Sequence, residues 1–149
     1  MYLSEKLNWG DFFDEERTSF EIARAFGQGI SLFKKYRNAE DFANADYDEL
    51  CEDIKSAGFY RNKAKNIILC CQRLIDVYGG EVPDTMEDLT SLAGTGRKTA
   101  NLVLGDIFGK PAVVVDTHCK RIAKRIGLTT NDDPTKVEMD LKKIVPSDY

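Results

Sequence analysis

The residues whose types and spacing could do chemistry run Leu89-Thr90-Ser91-Leu92-Ala93-Gly94-Thr95-Gly96-Arg97-Lys98-Thr99-Ala100-Asn101. They read as two short helices joined by a turn that holds Gly94 and Gly96. Glycines there permit a tight bend and let the backbone come close to another object. The second helix then starts near Arg97 with N–H groups that have no helical partner, at the positive end of its dipole. Such a terminus can hold a phosphate without reading base sequence. By residue type alone, Lys98 is a phosphate contact or a solvated helix residue. The turn is equally well a plain helix–helix corner needing glycine for positive φ, and G-x-G by itself is weak evidence. Asp116, a carboxylate further along, reads first as a helix N-cap.

The elements that must position these residues are helices. Asp46 with Glu49 has the form of a capping box, and Leu50, Ile54 and Ala57 follow at helical spacing until Gly58. From Arg61 to Tyr78, Ala64, Ile67, Ile68, Cys71, Leu74, Ile75 and Tyr78 keep the i, i+3, i+4 rhythm, which Gly79-Gly80 ends. Asp84 or Thr85 can cap a short helix through Leu92. A helix from Arg97 stops at Gly109, with Pro111 after it. Asp116 can open a helix that carries Ile122, Ala123 and Ile126 and ends at Gly127. Asp133 before Pro134 predicts a last helix reaching Ile144. Ala112-Val113-Val114-Val115 is the one strand-like run; with nothing to pair with, it is expected as a buried connector. The expected fold class is all-α.

The chain is mildly acidic, with a net charge of −4, but distribution matters more than the total. Residues 1–56 carry thirteen Asp and Glu against seven Lys and Arg, a balance of −6. Between Gly94 and Gly127, Arg97, Lys98, Lys110, Lys120, Arg121, Lys124 and Arg125 face only Asp106 and Asp116, a balance of +5. That stretch can present a phosphate-facing surface; a solvated basic helix face accounts for it equally well. Cys51, Cys70, Cys71 and Cys119 form no C-x-x-C pair, and His118 is the sole histidine. Neither a disulfide framework nor a zinc or iron–sulfur cage is expected. No apolar run is long enough to span a bilayer, and Met1-Tyr2-Leu3-Ser4-Glu5-Lys6 lacks the layout of a secretory signal. A cytoplasmic setting is expected, at the nucleoid in a prokaryote.

Leu92-Ala93-Gly94-Thr95-Gly96-Arg97-Lys98-Thr99-Ala100-Asn101 closely resembles the helix-hairpin-helix signature of the endonuclease III family. Gly58-Phe59-Tyr60-Arg61-Asn62-Lys63-Ala64-Lys65-Asn66-Ile67, then Gly79-Gly80-Glu81-Val82-Pro83, then Val115-Asp116-Thr117-His118 with Arg121 and Arg125, match the same family in the same order. The likeness runs from about Leu32 to Tyr149. It implies a helical bundle of the helix-hairpin-helix DNA glycosylase type, with an incomplete second helical subdomain. It also implies base-excision repair: a glycosylase with AP lyase activity on oxidised pyrimidines. The implied partner is double-stranded DNA containing a damaged base or an abasic site, with no membrane, and a monomer is expected.

Lys98 stands where the family's lysine attacks the deoxyribose, displaces the base at C1′, forms a Schiff base and permits β-elimination of the 3′ phosphate. That chemistry needs a neutral amine, and the neighbouring Arg97 and a helix N-terminus both disfavour additional positive charge. Asp116 stands at the family's catalytic aspartate, where a carboxylate can orient or deprotonate the amine and stabilise positive charge on the sugar. Ala93, Gly94, Thr95, Gly96, Arg97 and Thr99, with His118, Lys120 and Arg121, are the implied DNA contacts. His118 is expected as a structural or backbone contact rather than a general acid. Glycosylases of this type swing the damaged nucleotide out of the stack, and something must fill the gap.

The sequence also departs from the family. Ala93 stands where proline is usual, and Thr95 where a small apolar residue is usual. The glutamine that fills the vacated duplex space has no counterpart; the nearest stretch is Glu15-Glu16-Arg17-Thr18-Ser19. The four-cysteine loop that holds a [4Fe–4S] cluster in the family is absent, so neither that cluster nor another cofactor is expected. The expected organisation is a poorly readable segment at 1–19, a helical domain at 20–110 with the hairpin at about 86–108, and a partial second helical subdomain at 111–149. Three readings stay open at this point: the repair enzyme, a non-catalytic helix-hairpin-helix remnant that only binds DNA, and a helical protein-interaction domain.

Overall fold

The computed structural model describes residues 32–146, and among them every regular element is helical and none is a strand. Residues 1–19, with the acidic stretch nearest the missing glutamine, lie outside the described residues, as do 147–149. Two compact units divide the chain: Met1–Val82 with Leu92–Gly94, and Pro83–Ser91 with Thr95–Tyr149.

In the first unit a helical turn at residues 32–35 leads to α1 (Ala39–Ala43), α2 (Tyr47–Asp53) and α3 (Tyr60–Tyr78). Asn38 caps α1 by accepting the Asp41 N–H at 2.8 Å, and Asp46 caps α2 by accepting the Glu49 N–H at 2.9 Å. Each thereby satisfies a donor that a helix start leaves over. Both short helices pack on α3. Their core is Tyr36, Phe42, Leu50, Cys51, Ile54 and Ala64, flanked by Ile67, Ile68 and Cys71 from the predicted apolar stripe of α3. Tyr36 stacks on Phe42 with ring centroids 4.8 Å apart, while its hydroxyl donates to the Asp53 carboxylate at 3.1 Å.

The ends of α3 differ. At its C-terminus Gly79 adopts φ 64° and the Gly80 N–H reaches the Leu74 carbonyl at 2.9 Å, the closure that favours glycine. At its start Phe59 adopts φ 57° with 86% of its surface exposed. A bulky side chain in the left-handed region is strained, and no side-chain cap offsets it.

The second unit holds α4 (Met86–Ser91), α5 (Arg97–Asp106), α6 (Thr117–Arg125) and α7 (Pro134–Ile144). Thr85 and Asp88 open α4 reciprocally: the Asp88 N–H donates to the Thr85 hydroxyl at 3.1 Å, and that hydroxyl donates to the Asp88 carboxylate at 2.7 Å. Asp116 caps α6, and Asp133 caps α7 with Pro134 in its first turn. α4 packs on α5, and α6 on α7. Val115, Ala123, Val137 and Leu141 are buried together, with Val113 and Cys119 against them. The Ala112–Val115 stretch belongs to no helix or strand; Val115 is buried and the other three are half-buried.

Both hairpin helices therefore lie in the unit that holds α6 and α7, while Leu92–Gly94 of their turn lies in the other. Contacts invisible to periodicity account for this. The Lys110 ammonium grips both the backbone carbonyl and the carboxylate of Asp84, and Arg97 of α5 pairs with Glu138 of α7. Among the described residues no helix is long and apolar enough to cross a membrane. We expect Phe59→Gly to stabilise the protein by about 1 kcal/mol, since relief of backbone strain exceeds the entropy glycine adds to the unfolded chain. Thermal unfolding checks this, as a midpoint raised by about 2–4 °C.

Candidate active site

The hairpin turn uses its two glycines differently. Gly94 adopts φ 77°, and a Cβ built on it would lie 3.0 Å from the Asn66 Cβ and 3.2 Å from its Nδ2. Conformation and space both require glycine there. Gly96 is the N-cap of α5 at φ −92°, ψ 177°, a conformation any residue adopts, and a Cβ there meets nothing within 4 Å. No side chain caps α5. Among the described residues no side chain takes up the first amides of that helix, which stand at the positive end of its dipole.

Lys98 lies exposed in the first turn of α5. Asp116 is half-buried at the start of α6, where its carboxylate accepts the Cys119 N–H at 2.7 Å. That N–H holds the carboxyl below its usual range against the opposing effect of desolvation. The His118 N–H and the charges of His118 and Lys98 add to the lowering. The N-cap reading of Asp116 holds.

The Arg97 side chain, 35% exposed, reaches across to Glu138. Its Nε and Nη2 donate to the two Glu138 oxygens at 2.9 and 2.6 Å, and Lys142 donates to the same carboxylate at 2.8 Å. The Glu138 side chain is only 3% exposed. Burial acts most strongly on it and opposes ionisation. The Arg97, Lys142 and Asn101 side chains outweigh that effect and bring its pKa to about 2. Asn101, on the next turn of α5, is 1% exposed; its amide lies beside Glu138, but neither its Oδ1 nor its Nδ2 meets a partner in hydrogen-bonding geometry.

The remaining basic residues divide in the same way. Lys120 donates to the Asp132 carbonyl at 3.2 Å and Lys124 to the Asp132 carboxylate at 2.6 Å. Lys98, Arg121 and Arg125 are exposed, and among the described residues no hydrogen bond or ion pair engages their side chains. His118 and Thr99 are exposed, while Ala93 and Thr95 are half-buried. Sequence reasoning missed Glu138. Its signal was a carboxylate placed on the apolar face of α7, one residue after Val137 and three before Leu141.

The family described as HhH-GPD superfamily base excision DNA repair protein matches residues 21–147. Endonuclease III of Synechocystis sp. is 49% identical over 117 residues, which cover 78% of this chain and 53% of that protein. The fold is similar to that of a trapped endonuclease III–DNA covalent intermediate, with a TM-score of 0.79 and 46% identity, covering 82% of this chain and 58% of that one. It is similar also to a non-covalent endonuclease III–DNA complex, with a TM-score of 0.80 and 42% identity over 93% of this chain and 64% of that one. The chain spans about half the length of the relatives it matches.

The two glycines make a paired prediction. Gly94→Ala should destabilise the fold by about 2 kcal/mol through strain and overlap with Asn66. Gly96→Ala should leave stability within about 1 kcal/mol while weakening binding to duplex DNA. Denaturant unfolding and fluorescence anisotropy on a labelled duplex separate the two effects.

Proposed function

The chain belongs to the HhH-GPD superfamily of base excision DNA repair proteins as an endonuclease III family member, and from that premise we propose that it acts on double-stranded DNA as a glycosylase with AP lyase activity, taking oxidised pyrimidines. The observation that carries this reading is that one unit holds both an exposed Lys98, in the first turn of a helix with no side-chain cap, and an Asp116 carboxylate fixed at the start of α6 by the Cys119 N–H at 2.7 Å.

The uncapped amides of α5 hold the phosphate backbone beside the lesion, as helix N-termini hold phosphates. Gly94, Gly96 and the adjoining Ala93, Thr95 and Thr99 shape that grip, and Arg121 and His118 are exposed to extend it. The damaged nucleotide leaves the stack, which costs least where pairing is already disturbed. The neutral Lys98 amine bonds to C1′ as the bond to the base breaks and the base departs. Asp116 takes up a proton from the amine and steadies positive charge growing on the sugar. Ring opening leaves a Schiff base between Lys98 and C1′. Removal of a C2′ proton then expels the 3′ phosphate. We place this reaction in the cytoplasm, at the nucleoid in a prokaryote, and with the protein as a monomer. We expect no iron–sulfur cluster on the thiols described here, of which Cys51 is buried and Cys70, Cys71 and Cys119 are half-buried. No step is derived through it.

Borohydride trapping on an abasic-site duplex tests the reading. The wild-type chain should yield a covalent adduct that Lys98→Ala abolishes; salt-dependent binding without an adduct would reduce the protein to a DNA-gripping module. Asp116→Asn keeps an N-cap side chain, so it should retain folding and DNA affinity while slowing adduct formation. The Asp116 carboxyl is held below its usual value. Its contribution to stability is therefore complete above the ordinary 3.8 and fades as pH falls through the lower folded value. Acid unfolding of Asp116→Asn should lack that component.

A further inference from the structure

We propose that Glu138 is a positioning residue for Lys98, acting through the two-pronged grip of its carboxylate on Arg97; the inference rests on the lyase reading above. The amine on Lys98 sits at the end of a flexible stem, and among the described residues nothing holds its side chain. The protein can therefore set its reach only through the backbone at the start of α5. First turns fray unless they are anchored, and the usual anchor, a capping side chain, is missing because Gly96 leaves the amides open. Arg97 opens α5 immediately before Lys98 and is held at two points, 2.9 and 2.6 Å, by a carboxylate that is itself 3% exposed and steadied by Lys142. One helical turn on, the buried Asn101 lies against the same group. The ion pair thus replaces the cap, from inside the fold, and leaves the outer face of the helix start to phosphate.

Stability alone is a poor reason for such an arrangement, because a buried ion pair is often no better than apolar packing of the same volume. Geometry is the better reason, since a displacement of about 1 Å at a reacting group can cost on the order of a hundredfold in rate.

The test measures the single-turnover rate constant for borohydride-trapped adduct formation on an abasic duplex. Affinity for the same duplex and the thermal midpoint are measured beside it. Partly unfolded protein lowers the amplitude of such a reaction and leaves its rate constant alone. Arg97→Lys keeps the charge but loses the fork, and Glu138→Gln keeps the shape but loses the charge. Each should lower the rate constant by about ten- to a hundredfold with affinity held within roughly twofold, and the double variant should be no slower than the singles. An unchanged rate constant with a lowered amplitude or midpoint would make the pair merely structural and overturn the inference. So would tighter DNA binding with a steeper salt dependence in Glu138→Gln, which would mean that the released guanidinium takes a phosphate. No adduct from wild-type protein overturns the lyase reading and this inference together, whereas an adduct with undisturbed variants overturns this inference alone.

Discussion

Every α-helix begins with amides that have no carbonyl one turn back to accept them. At five helix starts in the described chain this shortfall is met from within: Asn38, Asp46, Thr85, Asp116 and Asp133 each turn a side-chain oxygen onto a following N–H, whereas α3, opening at the left-handed Phe59, has no such cap. At α5 the chain supplies Gly96, which has nothing to offer, and a Cβ there would touch no protein atom. The donors at that start have no side-chain cap among the described residues, and Lys98 lies in the same turn. An oxyanion from outside is what such a start accommodates, and the other features of the site follow from keeping that place open.

Keeping it open has a mechanical consequence. A helix start without a cap is loosely defined, and a reactive side chain mounted on it is loose too. Arg97 resolves the conflict by turning away from the open face, and α7 receives it with a carboxylate kept ionised in a buried position. The same carboxylate accepts Lys142, so one buried negative charge balances two cations that approach from different helices. Lys110 acts similarly at the far end of the hairpin through Asp84. These pairs join residues far apart in sequence, and they place both hairpin helices in the unit that also holds α6 and α7.

Charge is correspondingly more focused than its sum. The stretch from Gly94 to Gly127 carries a balance of +5. Within it Arg97, Lys110, Lys120 and Lys124 are engaged by Glu138, Asp84 and Asp132. Of the basic residues in that stretch, those exposed and unengaged by the described residues are Lys98, Arg121 and Arg125. Asp116 illustrates the opposite economy, one carboxylate in two roles. It closes the first turn of α6 while feeling the charge of Lys98, and the cap fixes its position from the backbone side.

Local signals were legible in the sequence because local physics decides them. The capping pair Asp46 and Glu49, the left-handed stop at Gly79-Gly80, the Asp133-Pro134 start and the all-helical character follow from hydrogen bonds and dihedrals within a few residues, and the structure has each of them. The need for glycine at 94 was readable as a bend, and the motif spacing carried the likeness to the endonuclease III family. Tertiary structure alone decided that Gly94 is also hemmed in by Asn66, that Arg97 pairs with Glu138, and that both hairpin helices share a unit with α6 and α7. Each of these depends on which distant side chain arrives opposite, and a one-dimensional pattern does not encode that distance. Glu138 marks the boundary: its place on an apolar helix face was visible in the sequence, but only the fold brought it the arginine that makes its burial tolerable.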